Sequence, residues 1–242
     1  MTQSKYYKKD QYKDLESRFV NLSSHQLRTP LGGIKWMLEL LQQPKTGSLN
    51  KKQKEYLEKI YIANERMIAL LNDLLEVSRI DEKDFKIYAQ PTDLIDLISS
   101  ALEDKEREIK NKNLKINFNF DPRPFPFVKT ERNKIKQTFG NLLTNAINYT
   151  PEGGTINIDL KVKAQFAVCS IADTGVGVPE AERKHLFKKF FRAKNVQGFE
   201  VVGTGLGLYI CKSFVEASGG KLSYKPNTDH GSIFYFTLPV VK

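Results

Sequence analysis

Cysteine is almost missing from this chain: there are two, Cys169 and Cys211, in 242 residues. They sit far apart in apolar segments, without the close spacing of metal ligands, and the expectation is two reduced thiols in a core. Long hydrophobic runs are missing too. No stretch approaches the roughly 18 uninterrupted apolar residues of a membrane span. Met1 to Asp10 is polar and lysine-rich, unlike the apolar centre of a signal peptide. A cytoplasmic chain without membrane contact of its own is expected, which leaves room for an upstream membrane sensor. Internal repeats and low-complexity tracts are absent. Acidic residues are fewer than basic ones, 28 against 38, which raises the question of nucleic acid. The excess is spread, with 16 basic and 12 acidic residues up to Lys86 and 22 and 16 beyond it. No basic stripe with interleaved aromatics occurs. A solvated basic surface is the better reading, with a minor pull towards an acidic partner or anionic lipid.

What is present suits two modest soluble domains, since single domains usually hold about 100–200 residues. From about Tyr6 to Gln43 the pattern is one long helix. Leu27, Leu31, Ile34, Leu38 and Leu41 recur at alternating spacings of four and three, and Val20 and Ser24 extend the stripe backwards. Gln43-Pro44-Lys45-Thr46-Gly47-Ser48 breaks it. A second helix from about Asn50 to Arg79 carries the stripe Leu57, Ile60, Asn64, Met67, Leu71, Leu74 and Ser78. Such a hairpin buries little alone, and two of them make a four-helix bundle, so residues 1–86 read as a homodimerisation domain. Ile80 to Pro91 reads as a linker. Residues 87–242 then mix elements: a helix from Asp93 to about Lys110 behind the N-cap Thr92, a strand Leu114–Asp121 and a helix Glu131–Asn148. Strands Thr155–Lys163 and Phe166–Ala172 follow, then short helices near Ala181–Phe191 and Leu206–Ser218, and strands Lys221–Lys225 and Ser232–Leu238. This is the pattern of an α/β sandwich with one face of the sheet covered.

Four strings carry chemistry. In Ser23-Ser24-His25-Gln26-Leu27-Arg28-Thr29-Pro30-Leu31, His25 is one residue past the seam position Ser24. On a helix that is about 100° away, at the edge of the packed stripe, where a neutral imidazole nitrogen is a usable nucleophile. Pro30 removes a donor and crowds the carbonyl of Gln26, loosening the helix beside the histidine. In Asn141-Leu142-Leu143-Thr144-Asn145 the two amides leave one helical face, and their oxygens suit a hard cation such as Mg²⁺; two capping or surface amides would look the same. Asp173-Thr174-Gly175-Val176-Gly177 follows a strand. A carboxylate there can accept from an amino group such as that of adenine, although an ordinary strand-to-helix turn fits as well. Gly203-Thr204-Gly205-Leu206-Gly207-Leu208 opens a helix and offers backbone donors to phosphate. It has neither the P-loop nor the dinucleotide spacing.

The order of these strings, with the Phe-rich segment Phe187, Phe190 and Phe191 between the last two, resembles the sensor histidine kinases from about Arg18 onward. The second half also resembles the wider ATPase fold of Hsp90-type chaperones, gyrase and mismatch-repair proteins. The resemblance implies a dimeric hairpin followed by an ATP-binding domain, with ATP and Mg²⁺ as cofactors and the receiver domain of a response regulator as partner. It implies that His25 is the phosphoacceptor, with Gln26, Arg28 and Thr29 beside it, Thr29 serving phosphatase chemistry on the partner. Asn145 would hold Mg²⁺ with Asn141 close to the nucleotide, and Asp173 would read the adenine amine. Gly175 and Gly177 would shape the pocket. Gly203, Gly205, Gly207 and Leu208 would close a lid over the phosphates, packed by Phe187 and Phe190.

Three departures stand out. Gln26 replaces a usual carboxylate, Asn148 replaces a usual Lys or Arg whose contact Arg192 or Lys194 would have to supply, and no sensor region precedes Tyr6. A fragment of a longer receptor, or input from another protein, is expected. The rival readings are an Hsp90-type ATPase and a degenerate ATP-binding scaffold.

Overall fold

The structure, a computed structural model, describes residue 24 and residues 26–82, 85–121, 125–196, 203–228 and 230–241. His25 and the sequence before Ser24 lie outside the described residues, as does the part of the first expected helix that falls there. The chain divides into two units, Met1–Phe85 and Lys86–Lys242.

In the first unit, residues 26–41 are helical (α1), a single 3-10 turn covers Pro44–Thr46, and α2 runs Lys51–Ile80. Asn50 starts α2 with a capping box: its Oδ1 accepts from the Gln53 amide and Gln53 Oε1 accepts from its own, both at 2.9 Å. Such a cap contributes about 1 kcal/mol. The register of the hairpin is tied by Arg28 Nη2 donating to Asn72 Oδ1 at 3.1 Å, Asn64 Nδ2 donating to the Leu31 carbonyl at 3.1 Å, and Lys35 against Glu65 at 3.0 Å. Only part of each apolar stripe is used inside the hairpin. Leu38, Leu71, Leu75, Asn64 and Ser78 are buried, whereas Leu27, Ile34, Leu41, Ile60 and Met67 stay exposed.

In the second unit a five-stranded sheet has the order β2-β4-β5-β7-β6. Its strands are β2 (Lys115–Phe120), β4 (Thr155–Lys163), β5 (Phe166–Asp173), β6 (Lys221–Pro226) and β7 (Ser232–Pro239). β2 pairs parallel with β4 and the other pairs are antiparallel. Every second residue of β5 and β7 is buried, as are Ile156, Ile158 and Leu160 of β4, the alternation of a sheet with one packed face. That face meets Leu94, Leu97 and Ile98 of α3 (Leu94–Glu103), Ile135, Phe139, Leu142 and Leu143 of α5 (Arg132–Tyr149), and Cys211 and Val215 of α6 (Gly207–Ala217). Each large side chain removed from water here contributes about 1.5–3 kcal/mol. The result is the helical hairpin and α/β sandwich expected from the sequence. Both cysteines are free and buried, and burial pushes the Cys169 thiol up.

Four local expectations fail. The N-cap of α3 is Asp93, whose Oδ1 accepts from the Ile95 and Asp96 amides, and not Thr92. The helix expected over Asp93–Lys110 is two, α3 and α4 (Glu106–Asn111), because the chain turns at Asp104, whose carboxylate is held by Lys136 at 2.8 Å. The helix expected near Ala181–Phe191 is a 3-10 turn over Glu180–His185, followed by irregular chain. Its residues are committed elsewhere: Arg183 Nε donates to the Val178 carbonyl and Glu182 accepts from the Lys194 amide. The end of the supposed linker is a strand, β1 (Gln90–Thr92), paired antiparallel with β3 (Val128–Thr130).

Candidate active site

α5 is the floor of the candidate site. It is amphipathic, with Ile135, Phe139, Leu142, Leu143 and Ala146 buried in the core and Asn141, Asn145 and Tyr149 half-buried along another line. From Asn141 to Tyr149 the helix rises ~12 Å. The two ends of that line meet the two glycine strings.

At the C-terminal end lies Asp173, the last residue of β5, only 4% exposed. Its Oδ1 accepts from the Gly175 amide at 2.9 Å and from the Ser232 amide at 3.1 Å. Its carbonyl accepts from Asn227 Nδ2 at 2.8 Å. Burial pushes the carboxyl above its ordinary value of 3.8, and the two backbone donors pull partly against this. Gly175 must be glycine because a Cβ there would stand 2.5 Å from the Tyr149 carbonyl oxygen. Gly231 has the same necessity, since its Cβ would fall 2.0 Å from the Asp173 oxygen. Gly177, at φ +64, runs close to Gly231, and its carbonyl accepts from Asn195.

At the other end Asn141 faces the start of α6. Its Nδ2 is 3.7 Å from Cys211 Sγ, and a Cβ on Gly207 would meet that nitrogen at 3.6 Å. The first turn of α6 therefore opens beside Asn141, and the N-terminal end of a helix dipole favours an anion. Gly205, at φ +71, lies against the backbone of Phe190 and Phe191. Phe190 itself has φ +61, a strained conformation for a bulky residue, and is exposed. Phe187 and Phe191 pack on the core. Arg192 Nη1 donates to the Gly203 carbonyl at 3.3 Å, so it shapes the glycine turn. Leu208, half-buried, packs on the core from the first turn of α6.

The structure thus sets Asp173 and Gly175 at the Tyr149 end of α5 and Gly207 at the Asn141 end, with Asn145 between them on the helix, while Gly177 lies by Gly231 and Gly205 by Phe190. Gln26, Arg28 and Thr29 belong to the other unit, exposed on α1, with Arg28 engaged by Asn72. Sequence reasoning missed Asn227, Gly231 and Ser232, which hold Asp173 from β7 and the turn before it. The Gly231-Ser232 pair was visible as a turn signal, but its partner is 59 residues away.

Carboxylate, helix floor and glycine turn in one sandwich define a class. Residues 130–242 match the family described as histidine kinase-, DNA gyrase B-, and HSP90-like ATPase. Residues 15–83 match the His Kinase A (phospho-acceptor) domain, and with both parts in this order the chain belongs to the sensor histidine kinases. It is 33% identical over 231 residues to the sensor histidine kinase WalK of Bacillus subtilis (strain 168), covering 93% of this chain and 37% of that protein. It also resembles full-length ShkA in complex with AMPPNP, with TM-score 0.77 and 25% identity over 93% of this chain and 46% of that one. The catalytic domain of the histidine kinase ThkA, nucleotide-free, matches with TM-score 0.57 and 30% identity over 64% of this chain and 97% of that domain. ThkA in complex with the response regulator protein TrrA shares the fold, with TM-score 0.66 at 22% identity, over 100% of this chain and 68% of that one. This chain spans about a third of the length of WalK.

Proposed function

We propose that this chain is the catalytic part of a protein-histidine kinase that moves the γ-phosphoryl group of ATP to His25 and from there to an aspartate of a response regulator. The observation that carries the ATP reading is Asp173: a buried carboxylate, fixed through one oxygen by two backbone donors, at the end of a helix whose other end meets a glycine turn. The adenine amine donates to Asp173, and the phosphates extend along α5 towards Asn145, Asn141 and the first turn of α6. Gly175 and Gly177 let the backbone approach the base. Gly203, Gly205, Gly207 and Leu208 form the lid side.

The metal fits as well. No cluster of three His, Cys, Asp or Glu occurs among the described residues. The donors that α5 offers along its half-buried line are the side-chain amides of Asn141 and Asn145, and with phosphate and water these would suit Mg²⁺. Asn145, with Asn141 on the same helical line, would hold the ion, which when bound would neutralise phosphate charge.

Phosphoryl transfer needs positioning and charge neutralisation more than covalent help from the protein. A nitrogen lone pair of His25 forms the N–P bond as the bond from the γ-phosphorus to the bridging oxygen breaks, and ADP leaves. The imidazole proton passes to water, since Gln26 can accept a hydrogen bond but cannot take the proton. The ThkA–TrrA pair supports a receiver domain as the second acceptor, and the His Kinase A match supports dimerisation through the hairpin. Thr29, exposed on α1, orients water when the chain hydrolyses the aspartyl phosphate of its partner to inorganic phosphate. No helix among the described residues is long and apolar enough to cross a membrane.

The test is incubation with Mg²⁺ and γ-labelled ATP. The protein should acquire an acid-labile, alkali-stable phosphate, as a phosphoramidate does, and His25→Ala should not. Full labelling of His25→Ala would sink the assignment. Steady ATP turnover without phosphoprotein would favour a chaperone-type ATPase.

A further inference from the structure

The last turn of α5 contains no basic residue, and its C-cap, Thr150, is extended at φ −85, ψ 131. An α-helix leaves its last four carbonyls without helical partners, and buried ones must find others. Here the accounting closes. The Ala146 carbonyl accepts from the Thr150 amide at 3.0 Å, and that of Tyr149 from the Val176 amide at 3.3 Å. Those of Ile147, Asn148 and Thr150 all accept from one ammonium, Lys112 Nζ, each at 2.9 Å. A lysine has three donors, and all three are used. Lys112 comes from the segment between α4 and β2. Its own carbonyl accepts from the Gly153 amide at 3.0 Å, so it holds the Gly153-Gly154 turn as well.

The end of α5 is therefore closed jointly by Lys112 and by the turn that carries Asp173 and Gly175. The Tyr149 carbonyl, between the carbonyls that Lys112 takes, is the seat on which that turn rests. We infer that Lys112 is a positioning residue for adenine recognition: it fixes the C-terminal turn of α5 so that the Asp173 carboxylate meets the base. This rests on the reading of Asp173 as the adenine contact. Without the ammonium, three part-buried carbonyls lose their partner, and the cheapest relief is for residues 148–150 to swing towards water. That moves the Tyr149 carbonyl and with it the turn. Asn141 and Asn145 lie one turn or more back inside the helix and stay in place. The loss falls on the base, and the phosphate end keeps its contacts.

The experiment compares ADP with inosine diphosphate, which replaces the adenine amine by a carbonyl, by calorimetry on the full chain with Mg²⁺. Lys112→Met should lower the preference for ADP about tenfold, the loss of one well-placed hydrogen bond, while affinity for inorganic tripolyphosphate changes less than about twofold. Lys112→Cys treated with 2-bromoethylamine restores an ammonium at nearly the original length and should restore the preference. Cys169 and Cys211 are fully buried, so the reagent meets the new thiol, and the parent treated alike is the control. If Lys112→Met does not fold, Lys112→Arg carries the test, because a planar guanidinium cannot aim three donors as this cone requires. An unchanged preference in these variants, beside a loss in Asp173→Asn, overturns the role of Lys112. An unchanged preference in Asp173→Asn too overturns the adenine reading and this inference with it. Failure of the aminoethylated variant to recover also overturns it, as does an equal loss for tripolyphosphate.

Discussion

Asp173→Asn should separate recognition from folding. In the free protein an amide oxygen can replace Oδ1 and keep both backbone bonds, from Gly175 and Ser232. The amide nitrogen then occupies the place of the other oxygen and presents a donor where the adenine amine also presents a donor. A hydrogen bond to a charged group is worth about 1.5–3 kcal/mol, so ADP affinity should fall roughly 10- to 100-fold. Inosine diphosphate, with an acceptor at that position, should bind the variant better than ADP does, reversing the preference of the parent. Stability should move the other way. Burial raises the Asp173 carboxyl above 3.8. Between 3.8 and the raised value the folded chain binds more protons than the unfolded one, so stability falls as pH rises through that window and stays lower above it. Asparagine does not titrate and avoids this loss. Asp173→Asn should therefore melt at the parent temperature or above it at pH 7, and the acid-side gain of the parent should vanish. Calorimetric titration with both nucleotides and thermal melts from pH 4 to 7 read both halves. Parent-like ADP affinity together with a lowered melting temperature would refute the reasoning on both counts.

Two further outcomes follow from the hairpin. Gln26→Glu supplies the carboxylate that can take the imidazole proton, and positioned general bases typically contribute about 10²–10⁴-fold. The gain in single-turnover autophosphorylation at saturating ATP should lie at the lower end, with ATP affinity unchanged; an unchanged or lower rate would show that proton removal does not limit. Leu27, Ile34, Leu41, Ile60 and Met67 are left uncovered in a single hairpin. The full chain should scatter light as a dimer, and Ile34→Glu with Met67→Glu should make it a monomer. A dimer that survives this pair would place the interface elsewhere.

The regular elements were legible where one period runs long. α2 and α5 fell within a residue or two of their sequence limits, and β4 and β5 alternate cleanly. What escaped depends on partners distant in sequence. The break at Asp104 has no glycine or proline to announce it, and the ion pair that accompanies it reaches to Lys136, on another helix. The charged stretch Glu180–His185 has helical composition, but its side chains are taken by Val178 and Lys194. β1 is three residues long and contains Pro91, too short for any period. Within the candidate site the glycines and Asp173 announced themselves by spacing. Lys112 did not, because its three acceptors are 35 to 38 residues away and are backbone atoms, which no side-chain pattern records.

β7 comes last in sequence among the strands of the sheet, yet it lies inside it, between β5 and β6, and its first residue holds Asp173. During synthesis the hairpin emerges before the sandwich, and domains fold in the order of their emergence. While β7 is still on the ribosome, β5 has an open edge, and the carboxylate at its end lacks the Ser232 amide. A nascent chain therefore carries the hairpin before the backbone donors around Asp173 are complete. The strand order thus leaves the surroundings of Asp173 incomplete until translation has passed β7.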